Sequence, residues 1–126
     1  MTDTRDPLAA FDDDIIETVA GETGIDPTRL RDAARTHQEG VRELPGVDDI
    51  VYEWRNQFHL DPLLHRDSDV YVLALRSHVW SEFGDRLDAT EEELDALRTL
   101  HDEQARRLVS DTGRLADDEA VVLTRP

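Results

Sequence analysis

The densest group of side chains able to do chemistry lies in HLDPLLHRDSD at 59–69, which brings together His59, Asp61, His65, Asp67 and Asp69. If 63–66 is extended, His65 and Asp67 project from one face, and imidazole beside carboxylate is a donor set suited to a divalent transition metal. The spacing matches no established ligand pattern, and Asp is frequent in turns because its carboxylate bonds the backbone two residues on. His59, Asp61, His65 and Asp67 are therefore weak metal candidates. His78 and His101 fall on or near apolar helix faces, where a hydrogen-bonded core histidine is the expected identity. There is no Gly-rich phosphate loop and no serine elbow, and the chain holds no Cys, which excludes disulfides, thiolate ligands and thiol nucleophiles. Carboxylates are so common that any two could be paired into a dyad, so no catalytic residue and no cofactor is assigned.

The second group is a basic island, PTRLRDAARTH at 27–37, with three Arg against one Asp. It follows IIETVAGETGID, in which Ala20, Gly24 and Leu30 stand four and six residues apart. A small residue lets two helices approach, Gly permits a left-handed turn, and Leu30 packs the second helix on the first. Over about twenty residues this stretch resembles helix-turn-helix DNA-binding units. That resemblance implies Thr28, Arg29, Arg31, Arg35 and Thr36 as base or phosphate contacts. The competing reading is an ordinary αα corner whose arginines pair with neighbouring carboxylates.

Composition sets the milieu. Acidic residues number 30 against 14 basic ones, for a formal charge of -16, and every basic residue is Arg. Such a surface repels itself in dilute buffer, whereas in molar salt the screening length falls to about 3 Å and the penalty nearly vanishes. Without Lys the surface lacks long apolar stems and strongly hydrated ammonium groups. The whole resembles cytoplasmic proteins of salt-in halophilic archaea, and YEWRNQF, DPL and VWSEFG resemble segments of small uncharacterised haloarchaeal proteins. The opening MTDTRDPLAAF shows neither a basic region nor an apolar core of a signal peptide, and no apolar run approaches the ~20 residues of a membrane span. The expectation is a cytoplasmic protein with no membrane partner.

Residues 1–6 are polar and expected to fray, and 7–126 is read as a single domain. Pro7 can open a helix carrying Leu8, Phe11, Ile15 and Val19; alternatively Asp12, Asp13 or Asp14 caps a later start. Gly21 and Gly24 end it, and Asp26 with Pro27 starts a second helix to about Gly40. Val47, Ile50, Val51, Trp54 and Phe58 fit a third helix, although Ile50, Tyr52 and Trp54 equally fit a strand. Leu63 to Arg66 and Val70 to Leu75 flank Asp67, Ser68 and Asp69 as a hairpin, the second strand apolar on both faces. A helix after Ser77 carries Trp80, Phe83 and Leu87, and Thr90 with Glu93 forms a capping box for the last helix. Ala120 to Thr124 reads as a strand that joins the hairpin. Six of the seven aromatic residues lie within 50–83, which locates the core.

The predicted fold class is thus α+β, mostly helical, with a helix-turn-helix-like N-terminal corner, a central β-hairpin and two C-terminal helices. Two functions compete: a DNA-binding transcriptional regulator, or a protein interaction module or homodimer using exposed aromatics such as Trp54 or Trp80. A divalent-metal-dependent enzyme is a third reading.

Overall fold

The computed structural model describes residues 5–43, 46–57 and 61–126. Its elements run α1 (Asp13–Thr23), α2 (Pro27–Glu43), α3 (Val47–Gln57), β1 (Leu63–Arg66), β2 (Val70–Leu75), α4 (His78–Leu87), α5 (Glu91–Leu108), a 3-10 turn (Gly113–Ala116) and β3 (Glu119–Thr124). The fold is α+β, with the helical corner, the hairpin and the two later helices in the expected order. Pro45, Phe58 and His59, and four of the six residues expected to fray, lie outside the described residues.

The first helix starts later than Pro7 because side chains from the far end of the chain engage the segment before it. Thr124 Oγ1 donates to Pro7 O at 2.7 Å and accepts from Ala10 N at 3.4 Å, which fixes 7–10 as a turn. Asp12 then sits extended ahead of α1. Its carboxylate accepts from Gln104 and Arg107 rather than from helix N–H groups. Gly24 closes α1 in the left-handed region at φ 74°, a conformation that only Gly adopts without strain. Asp26 Oδ1 then accepts from Thr28 N at 2.8 Å and opens α2. This helix continues through Gly40 to Glu43 because Val41 still belongs to its buried stripe of Leu30, Ala34, His37, Gln38 and Val41.

Val47, Ile50, Val51 and Trp54 are buried at helical spacing, so helix prevails over strand in α3. The aromatics expected to be exposed are not: Trp54 is 8% exposed and Trp80 is fully buried, while Tyr52, off the apolar stripe, is 70% exposed.

The sheet is antiparallel in the order β1-β2-β3. All six residues of β2 are buried. Asp67 makes the hairpin turn, its Oδ1 accepting from Asp69 N at 2.7 Å and Val70 N at 2.9 Å. The third strand joins β2 from Val70↔Thr124 to Leu75↔Glu119, which leaves the other side of β3 without a strand partner. Helical side chains occupy that side. Trp80 Nε1 donates to Ala120 O at 3.2 Å, and Val122 N donates to His101 Nδ1 at 2.9 Å. Gln38 takes both Val122 O and Thr124 N, each at 2.8 Å. Three side chains thus stand in for a fourth strand, satisfying groups that would otherwise be buried and unpaired or open to another chain.

Candidate interaction surfaces

The island on α2 does not present a single cationic face. Arg31 and Arg35 lie roughly 200° and 240° around the helix from Arg29 at about 100° per residue. Thr28 shares their side and Thr36 shares that of Arg29. Each arginine also has an acidic neighbour. Arg29 reaches Glu93 of α5 at 3.3 Å, Arg31 reaches Asp13 and Glu17 of α1 at 3.9 and 3.7 Å, and Arg35 reaches Asp6 at 3.4 Å. Pairs this exposed contribute only about 0–1 kcal/mol each. A phosphate would still have to displace them inside a field set by a formal charge of -16. Thr36 Oγ1 donates to Asp32 O in its own helix. Beside Arg29 and Thr36 lies a groove of about 260 Å3 closed by Leu87, Asp88 and Ala89.

The acidic turn residues serve the hairpin. Arg55 donates to both oxygens of Asp61, at 3.1 and 2.9 Å, and holds its carboxyl below the ordinary value. His65 Nε2 lies 2.9 Å from Asp67 Oδ2, and this contact, with the backbone N–H bonds, lowers the Asp67 carboxyl. Among the described residues no three His, Asp or Glu side chains are arranged to hold a metal. The structure joins His65 to Asp67 and places Asp61 with Arg55; His59 lies outside the described residues.

A different surface has the composition of a binding site. Between α3 and the hairpin, Tyr52, Arg55 and Asn56 face Leu63, Arg66 and Tyr71 across a groove of about 300 Å3. Tyr71 forms the floor, its hydroxyl donating to Asp48 at 2.5 Å and its ring lying 4.7 Å from the Arg125 guanidinium. Burial, then the bond to Asp48, raises the Tyr71 hydroxyl above its ordinary value. Arg66 is exposed and has no ion pair among the described residues. Another concavity, about 620 Å3 between α5 and the 113–120 segment, is instead lined by Asp95, Asp102, Asp117, Asp118 and Glu119. Within it Arg98 pairs with Glu119, and the lining Asp102 pairs with Arg106 outside it at 2.8 Å. Its charges belong to a solvated surface.

The pattern described as Domain of unknown function (DUF8048) matches residues 9–125. The chain belongs to this family. No curated protein and no solved structure matches it. The match runs from before α1 to the end of β3, so the α2 island and the α3 groove both lie within the matched span.

The DUF8048 interior also holds a group that the charged motifs do not reveal. His37 and His101 are buried with ring centroids 5.2 Å apart, and Phe83 and Trp80 lie 4.3 and 4.7 Å from one or the other ring. His101 is the core histidine expected from its helix face; His78, by contrast, is exposed at the start of α4. Burial pushes His37 down to about 4, and burial with the neighbouring His37 lowers His101 well below its ordinary value. Both rings are neutral. Since His101 Nδ1 accepts from Val122 N, its proton sits on Nε2, which removes that nitrogen as a metal donor. The spacing of Leu30, Ala34, Val41 carried the signal for His37 and Gln38, which fill the same stripe.

Proposed function

We propose that this protein is a protein interaction module that works in a salt-rich cytoplasm and engages its partner through the groove between α3 and the hairpin. The observation that carries this reading is Tyr52, the large hydrophobic residue left 70% exposed. Beside it are Arg55 and Arg66, the latter without an ion pair among the described residues. Tyr and Arg are the side chains that most often anchor protein interfaces, because each combines a large apolar body with directed polar groups. The charge of -16 and the absence of Lys support that milieu. No helix among the described residues is long and apolar enough to cross a membrane.

The test places the photoreactive residue benzoylphenylalanine singly at 52 and at 36, with irradiation in a source-cell extract at molar KCl. The expected result is a protein adduct from 52 and none from 36. Adducts from 36 alone refute the reading.

One observation favours a second reading, a helix-turn-helix regulator of the haloarchaeal kind. Gly24 turns left-handed between α1 and α2, and Asp26 caps α2, as such a corner requires. Thr28, Arg29, Arg31, Arg35 and Thr36 would then contact DNA. Selection from a random duplex pool in molar KCl decides it. A selected sequence whose binding is lost in the triple variant Arg29→Ala, Arg31→Ala, Arg35→Ala, at about 1–3 kcal/mol per base-reading Arg, would establish DNA binding. The module reading expects no sequence to be enriched.

A further inference from the structure

We infer that the occupant of this groove is a second copy of the same chain, packed so that the two α3 helices run antiparallel with Tyr52 at the two-fold axis. The inference rests on the interaction-module reading and names its partner. The exposed face of α3 carries Asp48 and Asp49 in the first turn, Tyr52 in the middle with the exposed Glu53 at its flank, and in the last turn Asn56 and Arg55, which pairs within the chain with Asp61. Asp48 and Asn56 each stand four residues from Tyr52, and Asp49 and Arg55 each stand three. This stripe is complementary to its own reversed copy. Antiparallel packing brings Tyr52 against the partner's Tyr52 and sets the acidic end of each helix at the height of the cationic end of the other. Each residue then meets, in its partner, the residue that meets it, which is the condition for an isologous contact that closes at two copies. Opposed helix dipoles act in the same sense.

Parallel packing would set acid against acid. A heterologous contact between this face and any other face of the acidic surface would leave an unmatched copy of each patch and propagate. Arg66, across the groove from Tyr52 and without an ion pair among the described residues, adds a second cation for the carboxylates of the partner's α3. The open side of β1 is a poorer route to association. That strand has only four residues, follows Pro62 and is irregular between Leu63 and His65, features that discourage strand addition.

Salt provides a signature. Two chains each carrying -16 repel one another as they approach. Rising KCl therefore tightens the dimer by screening that long-range repulsion, the reverse of the weakening expected for a DNA complex.

Sedimentation velocity across about 0.2 to 1 M KCl at micromolar protein, where the screening length still falls from roughly 7 to 3 Å and circular dichroism confirms that the chain is folded, tests the inference. The wild-type protein is expected to dimerise more tightly as salt rises. Tyr52→Ala should raise the dissociation constant by at least roughly thirtyfold, the size expected at an interface anchor, with an unchanged circular dichroism spectrum because Tyr52 is exposed. Asp49→Arg and Arg55→Asp should each weaken the dimer near the low end of the salt range, where contact charges are least screened. An equimolar mixture of the two should form the heterodimer in preference to either homodimer. Arg55→Asp also gives up the pair with Asp61, so Asp49→Arg, whose carboxylate makes no ion pair among the described residues, is the second arm that keeps the test decisive. A protein monomeric at every salt concentration, with residue 52 cross-linking to a different protein, overturns the homodimer and leaves the module reading standing. No cross-link of any kind from 52 removes both. A dimer indifferent to Tyr52→Ala and to the charge reversals overturns the antiparallel α3 contact.

Discussion

Acidification should destabilise this protein through its two buried histidines before its carboxylates titrate. In the unfolded chain His37 binds a proton near its ordinary value of 6.5, whereas in the folded chain it does so only near 4. Between these values the unfolded chain holds more protons, so stability is fully present above about pH 6.5 and is lost as pH falls toward 4. At about pH 5 the His37 contribution is a loss of roughly 2 kcal/mol, and His101, shifted in the same direction, adds to it. A total of this size is a large fraction of the ~5–15 kcal/mol of an ordinary domain. The assay is urea unfolding in molar KCl at about pH 7 and pH 5, for the wild-type protein and for His37→Leu. Leu keeps an apolar side chain of similar bulk among Trp80, Phe83 and His101, and the ring contacts and the long 3.4 Å contact with Gln38 that it gives up are lost at both pH values and cancel in the difference. The variant should lose about 2 kcal/mol less than the wild type over this interval. Equal losses would refute the argument, because carboxylates titrate alike in both proteins and cancel.

Other expectations follow from the same contacts. Gln38→Leu removes the partner of both Val122 O and Thr124 N and should cost about 2–6 kcal/mol, at 1–3 for each orphaned group, read as a drop in urea midpoint. Thr90→Ala breaks the capping box of α5 and should cost about 1 kcal/mol, a loss that Thr90→Ser restores. Titration calorimetry with zinc or manganese should give no heat of binding, since Asp61 and Asp67 are engaged by Arg55 and by the hairpin N–H groups. The melting temperature should climb steeply from dilute to molar KCl, given a charge of -16; a flat profile would contradict the halophilic reading.

Much of the architecture was legible because local signals agreed with burial. The hairpin about Asp67, the capping box at Thr90 and Glu93, and the corner at Gly24 all stand where the residue types demand them. The misreadings came where distant groups intervene. Pro7 is a sound helix opener, but Thr124, more than a hundred residues away, holds that segment as a turn. Trp54 and Trp80 looked available for binding, yet Trp54 lies on the Val47, Ile50, Val51 stripe and the Trp80 indole seals β3. The same stripe, followed strictly at helical spacing, puts Tyr52 outside. Polar residues hid the other half of the core. Gln38 and Gln104 are buried because their nitrogens and oxygens serve backbone groups or Asp12, and His37 because its ring packs among Trp80, Phe83 and His101, contacts that exist only once α2, α4, α5 and β3 have assembled.

We propose that binding passes through the α3 and hairpin groove rather than through the arginines of α2. Hydroxyl-radical footprinting in molar KCl tests it most directly, comparing dilute protein, concentrated protein and protein in source-cell extract. Tyr52, 70% exposed in the isolated chain, should oxidise readily when dilute and become protected on concentration or in extract, with Arg29, Arg31 and Arg35 unchanged. Protection confined to those arginines, with Tyr52 equally reactive throughout, would contradict the account.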